Sequence, residues 1–180
     1  MLTYCQYVKT HPEDEYNRVY HDTEYGFPLD DDAFLFERLI LEINQAGLSW
    51  ITILKKKENF RLAYHGFAID KVAGYDQSER ERLLADAGII RNRLKINAAI
   101  ENAKKIQILQ ENNGSFKGWL DVHKNYSKDD WVKLFKQNFK FTGGEIVGEF
   151  LMSTGYLPGA HDPDCPVYQQ IANLWPAWMD

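Results

Sequence analysis

The apolar residues of this chain recur at the spacing of α-helices, and sustained two-residue alternation is almost absent from its 180 residues. The clearest helical pattern begins after Asn92 and ends near Gly114. Its apolar positions are Leu94, Ile96, Ala99, Ile100, Ala103 and Ile106. The periodicity predicts an all-α fold. We expect residues 1–180 to form a single domain, a helical bundle with two closely packed lobes.

Capping and turn residues divide the chain into further helices. A helix is predicted over 31–43, because aspartates at 30–32 supply a cap and an acidic first turn. Ser49 can cap the next helix, and Ser78 begins a capping-box pattern. Residues 1–30 are expected to be mostly irregular. The remaining helices are predicted near 14–21, 70–73, 119–135 with a break at 124–127, 145–154, and 168–175.

Composition and charge exclude several classes of protein. Hydrophobic residues make up 44% of the chain, which is too apolar for disorder. No run of about 18 apolar residues predicts a membrane span. The net charge of −5 excludes a purely electrostatic nucleic-acid binder, so positive charge that faces DNA must be local. Without a signal-peptide pattern, we expect a cytoplasmic protein if the source is bacterial and a nuclear one otherwise, whose two cysteines are metal ligands or free thiols.

The segment 41–50 has the highest density of chemically useful residues. Glu42 lies between two apolar neighbours, so it lies either on the wet edge of a helix or in a buried site. The following Gln45-Ala46-Gly47 allows a bend with little side-chain bulk, and Leu48 and Trp50 come next. A basic run at 55–57 follows. This combination indicates a functional site.

Four potential metal ligands lie near the two ends of the chain. They are Cys5, His21, His161 and Cys165. Two thiolates and two imidazoles match the tetrahedral preference of zinc, and such an ion would join the termini in a structural role. His11 or Asp162 could substitute in this set, while Asp22 and Glu24 could hydrogen-bond to a metal-bound imidazole. The alternative is isolated cysteines and surface histidines.

The segment 141–144 has the pattern of a hairpin between two helices. Backbone N–H groups of Thr142, Gly143 and Gly144 could face a DNA phosphate at the N-terminus of the second helix, and Lys140 adds local positive charge. A tight inter-helix turn without DNA contact is the alternative. Glu145 suits the helix dipole but would repel a phosphate unless it points away.

A second basic joint lies at 86–93. Arg91, Arg93 and Lys95 cluster there and could contact phosphates, although a solvated basic face would show the same pattern.

Several aromatic residues could surround Glu42 in a pocket. The candidates are Tyr7, Tyr16, Tyr20, Tyr25 and Trp50. An extruded nucleobase needs stacking surfaces and a few hydrogen-bonding groups, and a cationic base also gains from a nearby carboxylate. The alternative for each aromatic is a place in the core or at its boundary.

These segments together resemble one protein family. The matching stretches are 20–26 with Tyr-His-Asp, 41–50 with Gln-Ala-Gly-Leu-Ser-Trp, 54–60, 86–91 and 139–143. They are similar to the 3-methyladenine DNA glycosylase I family of the helix-hairpin-helix superfamily, over nearly the whole chain. The resemblance implies an all-α fold and a structural zinc held by Cys5, His21, His161 and Cys165.

The same resemblance implies roles for the residues of the pocket. Glu42 would contact the methylated base and act as the catalytic carboxylate, while Tyr7, Tyr20 and Trp50 would stack on the base. The family usually has Trp where this chain has Tyr7, and two further differences are a longer gap between Cys5 and His21 and the presence of Glu145. We expect these differences to affect substrate range and DNA affinity more than the fold.

The implied reaction is base-excision repair of double-stranded DNA with alkylated bases, releasing free 3-methyladenine by base flipping. Leu48 would fill the gap in the duplex beside Gln45 and Gly47. No lysine stands out as a Schiff-base nucleophile, so we expect a monofunctional, monomeric glycosylase without strand cleavage or membrane contact. The alternatives are a non-enzymatic DNA-binding protein and a structural zinc protein with no role on DNA.

Overall fold

A computed structural model describes residues 2–180, and in that part of the chain all regular structure is helical, as predicted. Two 3-10 turns, His65–Phe67 and Ala177–Met179, accompany the α-helices. The α-helices are α1 Tyr4–Thr10, α2 Glu15–Thr23, α3 Asp32–Gln45, α4 Trp50–Ala63, α5 Ile69–Ala73, α6 Gln77–Ala85, α7 Arg93–Asn113, α8 Phe116–Val122, α9 Lys128–Asn138, α10 Gly144–Ser153 and α11 Pro166–Asn173.

Helix α3 is the central element of the core. All of its residues from Leu35 to Asn44 are buried, because α4, α7, α8 and α10 pack around it. Asp31 caps its N-terminus by accepting hydrogen bonds from the N–H groups of Ala33 at 2.7 Å and Phe34 at 3.2 Å. Burial on all sides fixes the positions of the side chains from Leu35 to Asn44, including Glu42.

Residues 2–30 are more ordered than the sequence predicts. Thr3 and Gln6 form a reciprocal capping box that starts α1, and Asp14 caps α2 through the N–H of Asn17. A seven-residue helix is too short to show a convincing apolar period, which explains why α1 escapes prediction.

Two other predicted helix starts are displaced. The N-cap of α6 lies two residues before the predicted one, because Asp76 caps the helix by accepting a hydrogen bond from the N–H of Glu79 at 3.0 Å. Helix α5 begins at Ile69, one residue before the predicted range 70–73, so Asp70 lies in its first turn.

Within residues 2–180, no helix combines the length and the apolar composition needed to cross a membrane.

Candidate active site and metal-binding cluster

A cleft of about 710 Å³ opens between α1, α2, the C-terminal end of α3 and the N-terminal half of α10. It brings together most of the residues that the sequence singled out. Those that line it are Tyr20, Tyr25, Glu42, Gln45, Gly47, Trp50, Gly143 and Gly144. Four further lining residues that carry polar groups are Tyr4, Asn17, Glu145 and Glu149. The segment 41–50 therefore forms one wall of the cleft, and the hairpin 141–144 reaches its rim.

Glu42 lies in the wall of the cleft, with only 5% of its surface exposed. Burial raises the pKa of its carboxyl to about 8, the nearby charge of Glu149 adds to the increase, and Arg38 opposes it. Arg38 compensates Glu42 only in part, because its guanidinium donates to the backbone oxygen of Ser153 at 3.0 Å and lies 3.5 Å from the carboxylate of Glu24. A positively charged ligand in the cleft would therefore favour the ionised form of Glu42.

Aromatic rings cover the same part of the cleft. The ring centroids of Tyr20 and Trp50 lie 5.1 Å apart in an edge-on arrangement, and those of Tyr4 and Tyr25 lie 5.2 Å apart. The guanidinium of Arg38 lies 5.1 Å from the centroid of Tyr20. Among residues 2–180, the buried hydroxyl of Tyr20 has no hydrogen-bond partner. An unpaired buried hydroxyl at a cleft is a group that a polar ligand could satisfy.

Two predicted pocket tyrosines lie elsewhere. Tyr7 stacks on His11 with centroids 4.3 Å apart, and its hydroxyl donates to Asp14 at 2.9 Å, so it is not part of the lining. Tyr16 is 51% exposed and is absent from the lining as well. Helix α1 contributes Tyr4 to the cleft instead. The sequence did not predict α1, so the position of Tyr4 could not be predicted either.

Tyr4 is held in the cleft by a hydrogen bond. Its hydroxyl donates to the side-chain oxygen of Asn17 at 2.8 Å, and Asn17 lines the cleft beside it. This polar pair was missed because neither residue stands next to a recognisable motif.

The turn between α3 and α4 projects toward solvent. Gly47 has a φ of 82°, a conformation that favours glycine, and the N–H of Leu48 donates to the oxygen of Gln45 at 2.7 Å. Leu48 is 38% exposed. Lys95 supports the turn from below, since its buried Nζ donates to the backbone oxygens of Asn44 at 2.8 Å and Ala46 at 2.7 Å. Lys95 is therefore a structural residue, and its predicted contact with phosphate is wrong.

The hairpin 141–144 connects α9 to α10 at the rim of the cleft. Thr142 is buried and its hydroxyl donates to the oxygen of Phe139 at 3.3 Å, so only its backbone remains available to a ligand. Lys140 is exposed, and its N–H donates to Asn102 at 2.7 Å, which anchors the hairpin to α7. The first N–H groups of α10 have no intrahelical partners, as at any helix start. Glu145 shares this rim.

The four predicted metal ligands meet in one cluster. Their ligand atoms all lie within 4.8 Å of one another, so the cluster is positioned to hold a metal ion. The four sulfur-to-nitrogen distances run from 3.3 Å, between Cys5 and His21, to 3.8 Å, between Cys165 and His21. A tetrahedral zinc ion with ordinary bond lengths would separate sulfur and nitrogen ligands by about 3.6 Å. The donor set and its spacing therefore fit such an ion.

In both histidines, the ring nitrogen that points away from the cluster has a hydrogen-bond partner. His21 Nδ1 lies 2.7 Å from the carboxylate of Asp22, and His161 Nε2 lies 2.7 Å from the backbone oxygen of Tyr25. Each contact orients the ring so that its other nitrogen faces the cluster, which is how metal-bound imidazoles are supported. Asp22 thus has the supporting position predicted for it.

The alternative ligands lie outside this cluster. His11 stacks on Tyr7, and the carboxylate of Asp162 accepts a hydrogen bond from the hydroxyl of Thr3 at 2.5 Å. The N–H of Asp162 donates to the sulfur of Cys5 at 3.3 Å, which supports the thiolate without replacing it. Glu24 is bound to Lys57 and takes no part in the cluster.

Comparison with known proteins gives concordant matches. Residues 10–133 match the family model described as methyladenine glycosylase. The chain is 38% identical to DNA-3-methyladenine glycosylase 1 of Escherichia coli K12 over 169 residues, covering 83% of this chain and 90% of that protein. It is 32% identical to DNA-3-methyladenine glycosylase of Haemophilus influenzae over 185 residues, covering 92% and 98%.

Solved structures agree with the sequence matches. A crystal structure of 3-methyladenine DNA glycosylase I superposes with a TM-score of 0.79 at 35% identity, covering 86% of this chain and 94% of that one. A Staphylococcus aureus structure, described as showing the basis of 3-methyladenine recognition, superposes with a TM-score of 0.79 at 33% identity, covering 86% and 92%.

Proposed function

The chain belongs to the methyladenine glycosylase family, and from this membership we propose that it hydrolyses the N-glycosidic bond of 3-methyladenine in alkylated DNA. It is a base-excision repair enzyme in this proposal, with free 3-methyladenine as product. The whole of residues 1–180 serves as one helix-hairpin-helix domain, acting as a monomer on double-stranded DNA. In this proposal the enzyme acts in the bacterial cytoplasm, at the nucleoid.

The observation that carries the proposal is a buried carboxylate beneath an aromatic cleft. Glu42 is 5% exposed, and Tyr20 and Trp50 line the same cleft. An extruded methylated adenine offers flat faces to the rings and positive charge to the carboxylate. The additional stacking residue would be Tyr4, which lines the cleft, and not Tyr7.

The chemistry requires little proton transfer to the leaving group. Methylation at N3 makes the adenine cationic, so the electron pair of the breaking N9–C1′ bond neutralises the base as it departs. Water supplies the new C1′–O bond and loses its proton to solvent. Glu42 binds and stabilises the extruded cationic base, and the walls of the cleft hold it in a reactive orientation.

The proposed enzyme breaks the glycosidic bond and leaves the strand intact. Strand cleavage by a glycosylase would need an amine to form a Schiff base with the sugar. The lining of the cleft, as described for residues 2–180, contains no lysine. The proposed enzyme is therefore monofunctional.

The exposed elements around the cleft would hold the duplex. Leu48, between Gly47 and the start of α4, is the candidate to fill the space left by the extruded nucleotide, and Gln45 would support it. At the hairpin, backbone N–H groups of 142–144 would face a phosphate, and Lys140 would add positive charge. The charge of Glu145 at the same rim would weaken the phosphate contact.

Replacing Leu48 with alanine is expected to slow excision from duplex DNA by about tenfold, because a partly exposed wedge contributes to extrusion rather than to the core. Thermal unfolding should change little, since the side chain is 38% exposed. Release of base from alkylated duplex DNA is compared with release from the same DNA made single-stranded, where no gap needs filling. Leu62→Ala, at a 78% exposed position of α4, is the control. An equal loss on both substrates would contradict the wedge role.

The metal cluster is proposed to hold one structural zinc ion through Cys5, His21, His161 and Cys165. The ion would join helices α1 and α2 to the loop before α11, and with four protein ligands it has no open position for substrate. Its contribution to function is indirect. His161 holds the backbone of Tyr25, which lines the cleft.

Two other classes of function make different predictions. A DNA-binding protein without catalysis would bind duplex DNA but release no base, and a structural zinc protein would show no salt-dependent binding to DNA. Measuring both duplex binding across a range of salt and base release from alkylated DNA separates the three. The buried position of Glu42 inside an aromatic cleft favours the enzyme.

A further inference from the structure

Helix α10 places a second carboxylate, that of Glu149, in the same cleft as Glu42. The residues around it on the helix are apolar, and Val147, Phe150 and Leu151 are fully buried. Glu149 itself is partly buried. A partly buried glutamate beside these apolar residues, on a helix that packs on α3, is costly unless it meets a polar or charged partner.

A hydrogen bond holds this carboxylate in place. The hydroxyl of Tyr25 donates to Oε2 of Glu149 at 3.1 Å, while the backbone oxygen of Tyr25 accepts from Nε2 of His161 at 2.7 Å. Tyr25 is 8% exposed and is therefore fixed at both ends. The contact uses one oxygen of Glu149 and leaves the other available to a ligand in the cleft.

The negative charge of the two carboxylates is only partly compensated. Burial raises the pKa of Glu149, Glu145 adds to the increase, and the hydrogen bond from Tyr25 and the charge of Lys128 oppose it. Glu149 in turn helps to raise the pKa of Glu42, with Arg38 opposing. Among the residues that the structure describes, neither Glu42 nor Glu149 forms a salt bridge. A cation in the cleft would supply the missing positive charge.

We infer that Glu149 is a specificity-determining residue, a second carboxylate that faces the extruded base together with Glu42 and favours positively charged bases over neutral bases of the same shape. This inference rests on the proposed function, because it takes the cleft to be the base-binding site. Two carboxylates that share one cleft attract a delocalised cationic ring more strongly than one does, and they offer nothing extra to a neutral ring.

A purely structural role for Glu149 would be to accept the hydrogen bond from Tyr25. The variant Glu149→Gln separates the two roles, because the amide oxygen can still accept that hydrogen bond while the charge is lost. A structural role then predicts no change in ligand preference.

The test uses two free bases with the same outline. One is 3,9-dimethyladeninium, which carries a fixed positive charge, and the other is its neutral 3-deaza analogue. Their dissociation constants are measured by NMR titration of wild-type protein and Glu149→Gln. We expect wild-type protein to prefer the cation. In the variant, cation binding should weaken by about tenfold and binding of the neutral base by less than twofold.

Glu111→Gln is the matched control. It removes the same charge at an exposed position of α7 outside the cleft, where solvent screens it, so less than a twofold change is expected. The inference would be overturned if Glu149→Gln bound the cation as tightly as wild-type protein does, or if it bound both ligands more weakly by the same factor. The proposed function would remain intact. Failure of wild-type protein to bind either base would instead overturn the base-binding assignment of the cleft, and the inference with it.

Discussion

Glu42→Gln is expected to lower excision of 3-methyladenine from alkylated DNA by about a hundredfold or more, while the protein remains folded. The side chain keeps its size and its place in α3 but loses the charge that holds the extruded cationic base in the cleft, and loss of one partner of a buried charge pair typically costs about 2 to 5 kcal/mol. Initial rates of base release, measured at equal concentrations of folded protein, give the comparison.

The same variant should become more stable than the wild-type protein as the pH rises. In the free protein the pKa of Glu42 is raised to about 8, so the folded state binds a proton that the unfolded state has already lost. Stability of the wild-type protein therefore falls as the pH increases from about 4.5 toward 8, and glutamine removes this dependence. At pH 8 the free energy of unfolding of the variant should exceed that of the wild-type protein by roughly a few kcal/mol.

Glu37→Gln provides the contrast on the same helix. Glu37 is buried too, but it accepts a hydrogen bond from Arg61 at 2.8 Å and lies outside the cleft. Its replacement should lower stability and leave the rate of excision nearly unchanged. Wild-type rates in Glu42→Gln, or a loss of stability at pH 8, would show that this carboxylate does not have the role assigned to it.

Removal of the metal is expected to have the second largest effect. Freshly purified protein should contain about one zinc ion per chain, and Cys165→Ser should lose that ion together with several degrees of thermal stability. The reason is that the cluster joins α2 to the loop before α11, and the tie between His161 and Tyr25 depends on it. Elemental analysis and thermal unfolding of the two proteins measure the effect.

Asp164→Asn is the control for the metal prediction. This residue is exposed in the same loop and is not one of the clustered ligands, so zinc content and unfolding temperature should stay at wild-type values. Wild-type protein that is free of metal and unfolds at the same temperature with and without a strong chelator would contradict the zinc proposal.

The outline of the fold was predictable because long helices with apolar faces dominate it. Helices α3 and α7 follow directly from their apolar spacing, and the helical class is confirmed by the structure. Helix α1 was not predictable in this way. Its seven residues are stabilised by the Thr3 capping box and by packing on α2, and such packing leaves no apolar period in so short a helix.

Some residues of the site could likewise be predicted from the sequence, and others could not. Glu42 could be singled out because it is a lone carboxylate among apolar residues, and Glu149 on α10 carries the same signal, which was overlooked. Lys95 could not be assigned from sequence, since its role depends on how α7 packs against the end of α3, about fifty residues earlier. Tyr7 was misplaced because the face of α1 that meets the cleft carries Tyr4 instead.

The most direct test is release of free base by the wild-type protein. Duplex DNA treated with a methylating agent is incubated with the enzyme, and the soluble products are separated by chromatography. We expect 3-methyladenine to appear as the free base, in an amount that grows with time and enzyme concentration, while the strands remain uncut. Binding to the same DNA with no release of 3-methyladenine above the uncatalysed rate would contradict it.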